Sequence, residues 1–254
     1  GGLSSSLPAM LRTRTRLCLL CLFCAAPALD ASLALLVGDS WAAYAGNTLS
    51  QHCTGISTVV NRGVAGTTAA EWAAGDDCDS NPSSLCCQIG SCSVVAAVAA
   101  AREVEPEGPS VAWISAGGND YILSHCNEEE SSLATLQEHI EQVVRDVKWL
   151  VPATDIVLTG YATPSADLFW TFGCSRPKAL HPLNEAVKRA AQATNVTFVN
   201  VSAALGGSLQ EYSLAEFYKD PIHLNDRGYC RLWSYPPLQE ALSCDHRALR
   251  GPGC

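Results

Sequence analysis

Five short runs of apolar, largely β-branched residues recur along the chain, and stretches with helical spacing separate them. The runs are Leu33–Val37, Thr58–Asn61, Ser110–Ser115, Asp155–Thr159 and Thr197–Val201. Between them lie helical patterns over Trp41–Gln51, Ser93–Glu103, Ser131–Leu150 and Pro177–Thr194, and a last one runs from Asn225 to about Leu242. The third is the clearest, because Leu133, Leu136, Ile140, Val143, Val144 and Val147 repeat at the three-and-four spacing of one buried face. Strands alternating with helices in this rhythm predict an α/β fold, a parallel sheet covered on both faces. Neither an internal repeat nor a second domain is evident.

Composition narrows the partners. Hydrophobic residues at 48% and charged ones at 16% describe a globular chain. The net charge of −9 argues against nucleic acid or an anionic membrane as partner, since no basic patch exists to neutralise phosphates.

The N-terminus reads as a targeting segment. Arg12, Arg14 and Arg16 precede an apolar run from Leu17 to Ala26, and Ala26-Pro27-Ala28 offers small residues for cleavage. That run is too short for a stable membrane span, which needs roughly 20 residues. Residues 1–28 are therefore expected to be an N-terminal extension and signal peptide cleaved near Ala28, and residues 29–254 a single secreted domain. Cleavage removes Cys18, Cys21 and Cys24 of the thirteen cysteines and leaves an even ten, which predicts disulfides. Cys86, Cys87 and Cys92 lack paired metal-ligand spacing, so no metal is expected there. The polar, cysteine-rich stretch at about 75–92 reads as a stapled surface insertion, its Asp76, Asp77 and Asp79 as a solvated acidic loop. The tail is expected to be tied back through Cys254. Asn195 and Asn200 each begin an Asn-x-Ser/Thr sequon; Asn195 precedes the last strand, whereas Asn200 is expected inside it.

Ligands of open α/β sheets bind outside the carboxyl ends of the strands. The segments there are Gly38-Asp39-Ser40, Gly63 to Thr68, Gly117 to Asp120 and Gly160 to Pro164, all read as loops. Ser40 follows a buried strand and opens a helix, which puts its hydroxyl at the sheet's edge. A serine needs an adjacent base to act as nucleophile. Among the six histidines, His223 alone has a carboxylate at a supportive spacing, Asp220, with Pro221 stiffening the loop between. That carboxylate can hold one ring nitrogen and turn the other toward Ser40. Donors for an oxyanion are available on two further segments, from the backbone of Gly66 or Gly63 and from the side chain of Asn119. The Gly-x-Ser-x-Gly elbow of the α/β-hydrolases is absent, since Ala42 stands in its last position.

Taken in order, Gly38-Asp39-Ser40, Gly66, Gly117-Gly118-Asn119-Asp120 and Asp220-Pro221-Ile222-His223 resemble the four blocks of the SGNH hydrolases, the GDSL lipase/esterase superfamily. The resemblance spans about Leu33 to Leu242. It implies a flavodoxin-like three-layer α/β/α sandwich with a five-stranded parallel sheet of order 2-1-3-4-5. It implies Ser40 as nucleophile, His223 as base and Asp220 as its orienting partner. The oxyanion donors it implies are the N–H groups of Ser40 and Gly66 and the amide of Asn119. The chain departs from the family after the nucleophile, where it reads Trp41-Ala42-Ala43-Tyr44-Ala45-Gly46 instead of the usual consensus.

The expected protein is a monomeric serine esterase that needs no cofactor and forms an acyl-enzyme on short-chain or acetyl esters of a small molecule, carbohydrate or lipid. A catalytically silent glycan-binding module on the same fold is the alternative. Activity is expected to fall on acidification as His223 gains a proton. Trp41, Tyr121, Phe169, Trp170 and Phe172 are candidates to line an acyl pocket.

Overall fold

The computed structural model describes residues 32–46, 48–75, 84–89, 92–164, 173–174, 180–207 and 213–244. Its frame is one sheet of five parallel strands: β1 (Ser32–Gly38), β2 (Ile56–Asn61), β3 (Val111–Ser115), β4 (Asp155–Thr159) and β5 (Thr197–Val199), in the order β2-β1-β3-β4-β5. The three-layer α/β/α class and strand order expected above hold. In β1 and β3 the apolar residues are all buried, as strands covered on both faces require. Register is continuous across the centre, with Val37 beside Ile114 and Gly38 beside Ser115, so the ends of these two strands lie side by side.

Ten α-helices are described. They are α1 (Ser40–Ala45), α2 (Thr48–His52), α3 (Ala69–Ala74), α4 (Leu85–Ile89), α5 (Val94–Val104), α6 (Gly118–Leu123), α7 (Glu130–Leu150), α8 (His181–Thr194), α9 (Asp226–Trp233) and α10 (Pro236–Ala241). The periodic stripe predicted for α7 is buried throughout, and α7 packs on α3, α5 and α8. Two of the expected helices are corrected. The helix expected over Trp41–Gln51 is two helices, because Gly46 adopts φ 53° and ψ −137° and ends the first. The last helix also divides, where Pro236 removes a backbone donor and starts a new helix as its first residue. Strand β5 ends at Val199, so Asn200 lies just past it and not within it.

Disulfides fasten the frame. Cys53 after α2 pairs with Cys244 after α10, Cys126 with Cys174, and Cys86 with Cys92 inside the predicted insertion; Cys87 and Cys230 are also disulfide-bonded. The Cys53–Cys244 link closes 191 residues, and chain entropy assigns a loop that long about 5 kcal/mol. Residues 1–31, Asp76, Asp77, Asp79 and Cys254 lie outside the described residues. No helix among the described residues is long and apolar enough to cross a membrane.

Candidate active site

Gly38 ends β1 with φ +126°, and a side chain there would come within 1.8 Å of the Ser115 carbonyl oxygen. Only glycine lets β1 turn so close to β3. The Asp39 N–H then donates to that carbonyl at 2.8 Å, and Asp39 becomes the N-cap of α1. Its carboxylate accepts from the Trp41 N–H at 3.0 Å, which satisfies an otherwise orphaned helix donor. Ser40 is the first helical residue, 6% exposed.

Behind Ser40, Asp39 is buried among hydroxyls. Tyr161 donates to its Oδ2 at 2.5 Å, and Ser115 donates to its Oδ1 at 3.2 Å. Burial pushes the Asp39 carboxyl up to about 6, against the downward pull of the hydrogen bonds from Tyr161, Trp41 and Ser115. The Asn184 side chain fixes Tyr161 in turn, accepting from its N–H at 2.7 Å and donating to its carbonyl at 2.8 Å.

At the other end of α1, Asn61 closes β2. Its amide donates to the Ala42 carbonyl at 2.8 Å, and its Oδ1 accepts from the Gly63 N–H at 2.9 Å. A Cβ on Gly63 would sit 2.3 Å from the Ala43 nitrogen. Gly63 thus lets the backbone press on α1, and its N–H is engaged by Asn61.

The next segment carries Gly66. Val64 N–H donates to the Gly38 carbonyl at 2.8 Å, and Asn119 donates its amide to the Thr67 carbonyl at 2.8 Å. Asn119 and Asp120, expected on a loop, occupy the first turn of α6, since Gly117 adopts the left-handed conformation at its N-cap. Asp120 accepts from the N–H groups of Ala69 and Ala70, at 2.7 and 3.2 Å, and so docks α3 onto α6. Burial raises the Asp120 carboxyl, opposed by those two donors. The Gly66 segment is held from β1 and from α6.

The Asp220–His223 loop comes from the far end of the chain. Asp220 Oδ2 lies 2.7 Å from His223 Nδ1, while Oδ1 accepts from the N–H groups of Ile222 and His223 at 3.0 and 2.8 Å. Partial burial pushes Asp220 up, but the bonds from Ile222 and from the His223 ring and backbone outweigh it and hold the carboxyl below its usual range. A carboxylate so placed favours the His223 tautomer with hydrogen on Nδ1, leaving Nε2 as acceptor. The loop docks on α1: Trp41 Nε1–H donates to the Ile222 carbonyl at 3.0 Å, and the Tyr44 ring meets the His223 ring edge-on at 4.9 Å.

A cavity of about 30 Å³ opens beside Ser40 and Asn119, lined by these and by Trp41, Ile122, Leu180 and Ile222 among others; Gly66, Asp220 and His223 do not line it. It holds about two water-sized groups. Of the aromatic candidates Trp41 lines it, and Tyr161 does so unforeseen. Tyr121 is buried elsewhere, beside α7. Phe169, Trp170 and Phe172 lie outside the described residues. A far larger groove of about 940 Å³ runs along β5 and the starting end of β4, past Asp155, Asn195, Asn200 and Tyr235. None of the candidate catalytic or oxyanion residues lines it, and the strand-end rule favours the small cavity as the place for chemistry. Ser115, Tyr161, Asn184 and Asn61 had no motif to announce them.

A family model described as the GDSL-like lipase/acylhydrolase family matches residues 31–231. No curated protein matches in sequence. Among solved structures, a Lactobacillus plantarum protein superimposes with TM-score 0.55 at 13% identity, covering 84% of this chain and 96% of its own. A Bacteroides fragilis protein assigned as an acylhydrolase gives 0.53 at 20% identity, over 84% of this chain and 86% of its own. A mutant acetyl-xylooligosaccharide esterase from Geobacillus Stearmophilus gives 0.51 at 18% identity, over 86% and 97%.

Proposed function

The chain belongs to the GDSL-like lipase/acylhydrolase family and is an ester-bond hydrolase, and we propose that it is a secreted serine esterase working through an acyl-enzyme. Ser40 Oγ attacks the ester carbonyl while His223 Nε2 takes its proton. The tetrahedral oxyanion is met by the N–H groups of Ser40 and Gly66 and by the Asn119 amide. Collapse breaks the C–O bond, and the alcohol leaves with the proton from His223. Water then repeats the sequence and releases the acid. Asp220 keeps the His223 ring in the required tautomer and stabilises it when charged. Gly66 is preferred over Gly63 as donor, because the Gly63 N–H is already bonded to Asn61.

The observation that carries this reading is the mounting of the Asp220–His223 pair, through Trp41 and Tyr44, on the helix whose first residue is Ser40. Cavity size selects the acyl group. Room for about two water-sized groups beside Ser40 favours acetyl and the shortest acyl chains. Acetylated carbohydrate is the first alcohol moiety to try, since a protein of similar fold acts on acetylated xylooligosaccharides.

Secretion rests on the segment up to Ala28 acting as a signal peptide, and the disulfides accord with an oxidising compartment. In that compartment Asn195 is the favoured glycan acceptor. Asn195 and Thr197 are both exposed, whereas the Asn200 side chain accepts from the Ser202 N–H at 3.0 Å and Ser202 is buried.

The test is hydrolysis of p-nitrophenyl acetate, butyrate and octanoate by the secreted protein and by Ser40→Ala. Wild type should turn over the acetate fastest, and Ser40→Ala should lose hydrolysis of all three without losing thermal stability. Retained hydrolysis in Ser40→Ala would remove the nucleophile from this account, and a preference for octanoate would remove the acetyl assignment.

A further inference from the structure

We propose that Trp41 and Tyr44, with Lys219, form a clamp that positions the His223 ring against Ser40. The proposal rests on reading Ser40 and His223 as nucleophile and base. Trp41 and Tyr44 are three residues apart in α1 and therefore share a face. Both reach the loop that carries His223, from the helix that carries Ser40.

The bonds made by Asp220 lie wholly within the loop. They shape the turn and hold the ring, but they leave open where the turn stands relative to Ser40. At the base of the loop, Tyr218 bridges Leu224, and Asn225 N–H donates to the Phe217 carbonyl at 2.9 Å. These contacts anchor it toward α9, not toward the nucleophile. At its tip the ties to α1 are the aromatic ones. Trp41 Nε1–H grips the Ile222 carbonyl, one residue before His223, at 3.0 Å. Tyr44 presents its ring at 82° to the His223 ring. The Lys219 ammonium stands 3.5 Å from the Tyr44 ring centroid, and the Lys219 N–H donates to the His223 carbonyl at 2.9 Å. Lys219 thus joins the loop to the outer part of the clamp by a cation–π contact.

Trp41 is well suited to this work because it has little freedom itself. Its N–H is capped by Asp39, its carbonyl accepts from the Tyr229 hydroxyl at 2.8 Å, and its ring meets Tyr161 edge-on at 5.3 Å. The lever that sets the loop is fixed to the same backbone turn as Ser40. Tyr44 is 45% exposed and Lys219 is exposed, so the outer half of the clamp is wet and weaker. A misplacement of about 1 Å at a reacting pair can cost a hundredfold in rate.

The experiment compares Trp41→Phe, which keeps a ring but loses the indole donor, Tyr44→Ala, Tyr44→Phe and Lys219→Met. Steady-state kinetics on p-nitrophenyl acetate, melting temperature, and the His223 ring resonances by NMR are measured for each. Trp41→Phe and Tyr44→Ala should lower kcat by about ten- to a hundredfold, with a lesser change in KM. Trp41→Phe should lower the melting temperature by about a few degrees, since its ring is buried, and the half-exposed Tyr44→Ala by less; both should stay folded at the assay temperature, and the His223 ring signals should move or broaden. Tyr44→Phe should restore most of the rate, and Lys219→Met should lose only a few-fold. Wild-type kcat with unmoved His223 signals in Trp41→Phe and Tyr44→Ala overturns the clamp, as does a rate loss fully accounted for by unfolding. If Ser40→Ala stays active, the esterase reading fails instead, and the His223 signals still decide whether the clamp exists.

Discussion

The two sides of the proposed triad are built in opposite ways, and their aspartates show it. Asp39, beside Ser40, is 3% exposed, takes hydrogen bonds from the first turn of α1, from the end of β3 and from the segment after β4, and has a carboxyl raised by burial to about 6. Asp220, beside His223, sits on an exposed loop, is served by its own loop, and has a carboxyl held below its usual range. A buried charge is costly and persists only where the surrounding structure compensates it. An exposed one can be tuned by local hydrogen bonds at little cost to the fold. The nucleophile side is thus part of the fold's stability, and the base side is an attachment to it. Changes on the base side should be read in rate, and changes on the nucleophile side in stability and its pH dependence.

The largest effect should come from Asp220→Asn. The amide can still accept from the backbone N–H groups through Oδ1, so the turn survives. The second oxygen that steadies the His223 Nδ1–H becomes a donor, which favours the wrong tautomer. We expect kcat to fall by about four orders of magnitude, while stability changes by less than about 0.5 kcal/mol. Steady-state kinetics and urea unfolding check both halves. A large stability loss would break the contrast, because it would make the base loop structural too.

Asp39→Asn addresses the other side. The folded carboxyl at about 6 lies above the ordinary 3.8, so between those values the native state holds more protons than the unfolded chain. Wild-type stability should therefore fall as pH rises through that window and level off above about 6, a loss on the order of 3 kcal/mol for a shift of this size. Asparagine is uncharged and keeps an oxygen for the Trp41 N–H, so the variant lacks this contribution. Subtracting its unfolding free energies at pH 4, 5, 6 and 7 from those of wild type removes groups common to both. A difference that declines by about that amount supports the contrast; parallel curves refute it.

The sheet was legible because parallel strands buried on both faces write continuous apolar runs, and the stripe of α7 was legible because a single face is buried. Helix ends were harder. Apolar spacing continues past Gly46 and past Pro236, although backbone geometry stops the helix at each. Of the proposed triad, Asp220 and His223 stood out in the sequence as a carboxylate three residues before a histidine, and Ser40 as a serine just after an apolar strand. The environment of Asp39 did not. Its partners Ser115 and Tyr161 lie 76 and 122 residues away, and a tyrosine after a strand looks the same whether it packs or donates. Asn61 was equally silent, for an asparagine ending a strand is ordinary until the fold lays it under α1.

Tyr161→Phe gives the finest test of the contrast. The substitution keeps the ring against Trp41 and removes only the O–H that donates to Asp39. A buried carboxylate that loses one donor becomes less stable, at about 1–3 kcal/mol for a group left under-satisfied. The loss should depend on pH, because a neutral carboxyl needs that donor less than a carboxylate does. The Tyr161 bond pulls the Asp39 carboxyl down, so removing it should raise the carboxyl further and extend the stability decline to higher pH. Tyr161→Phe should accordingly be only slightly less stable than wild type near pH 5 and clearly less stable near pH 8. Urea unfolding at the two pH values reads the difference. A penalty equal at both would mean that Tyr161 serves Asp39 by packing alone. The burial of the carboxylate would then be compensated by the Trp41 N–H and Ser115, on a nucleophile side simpler than the geometry describes.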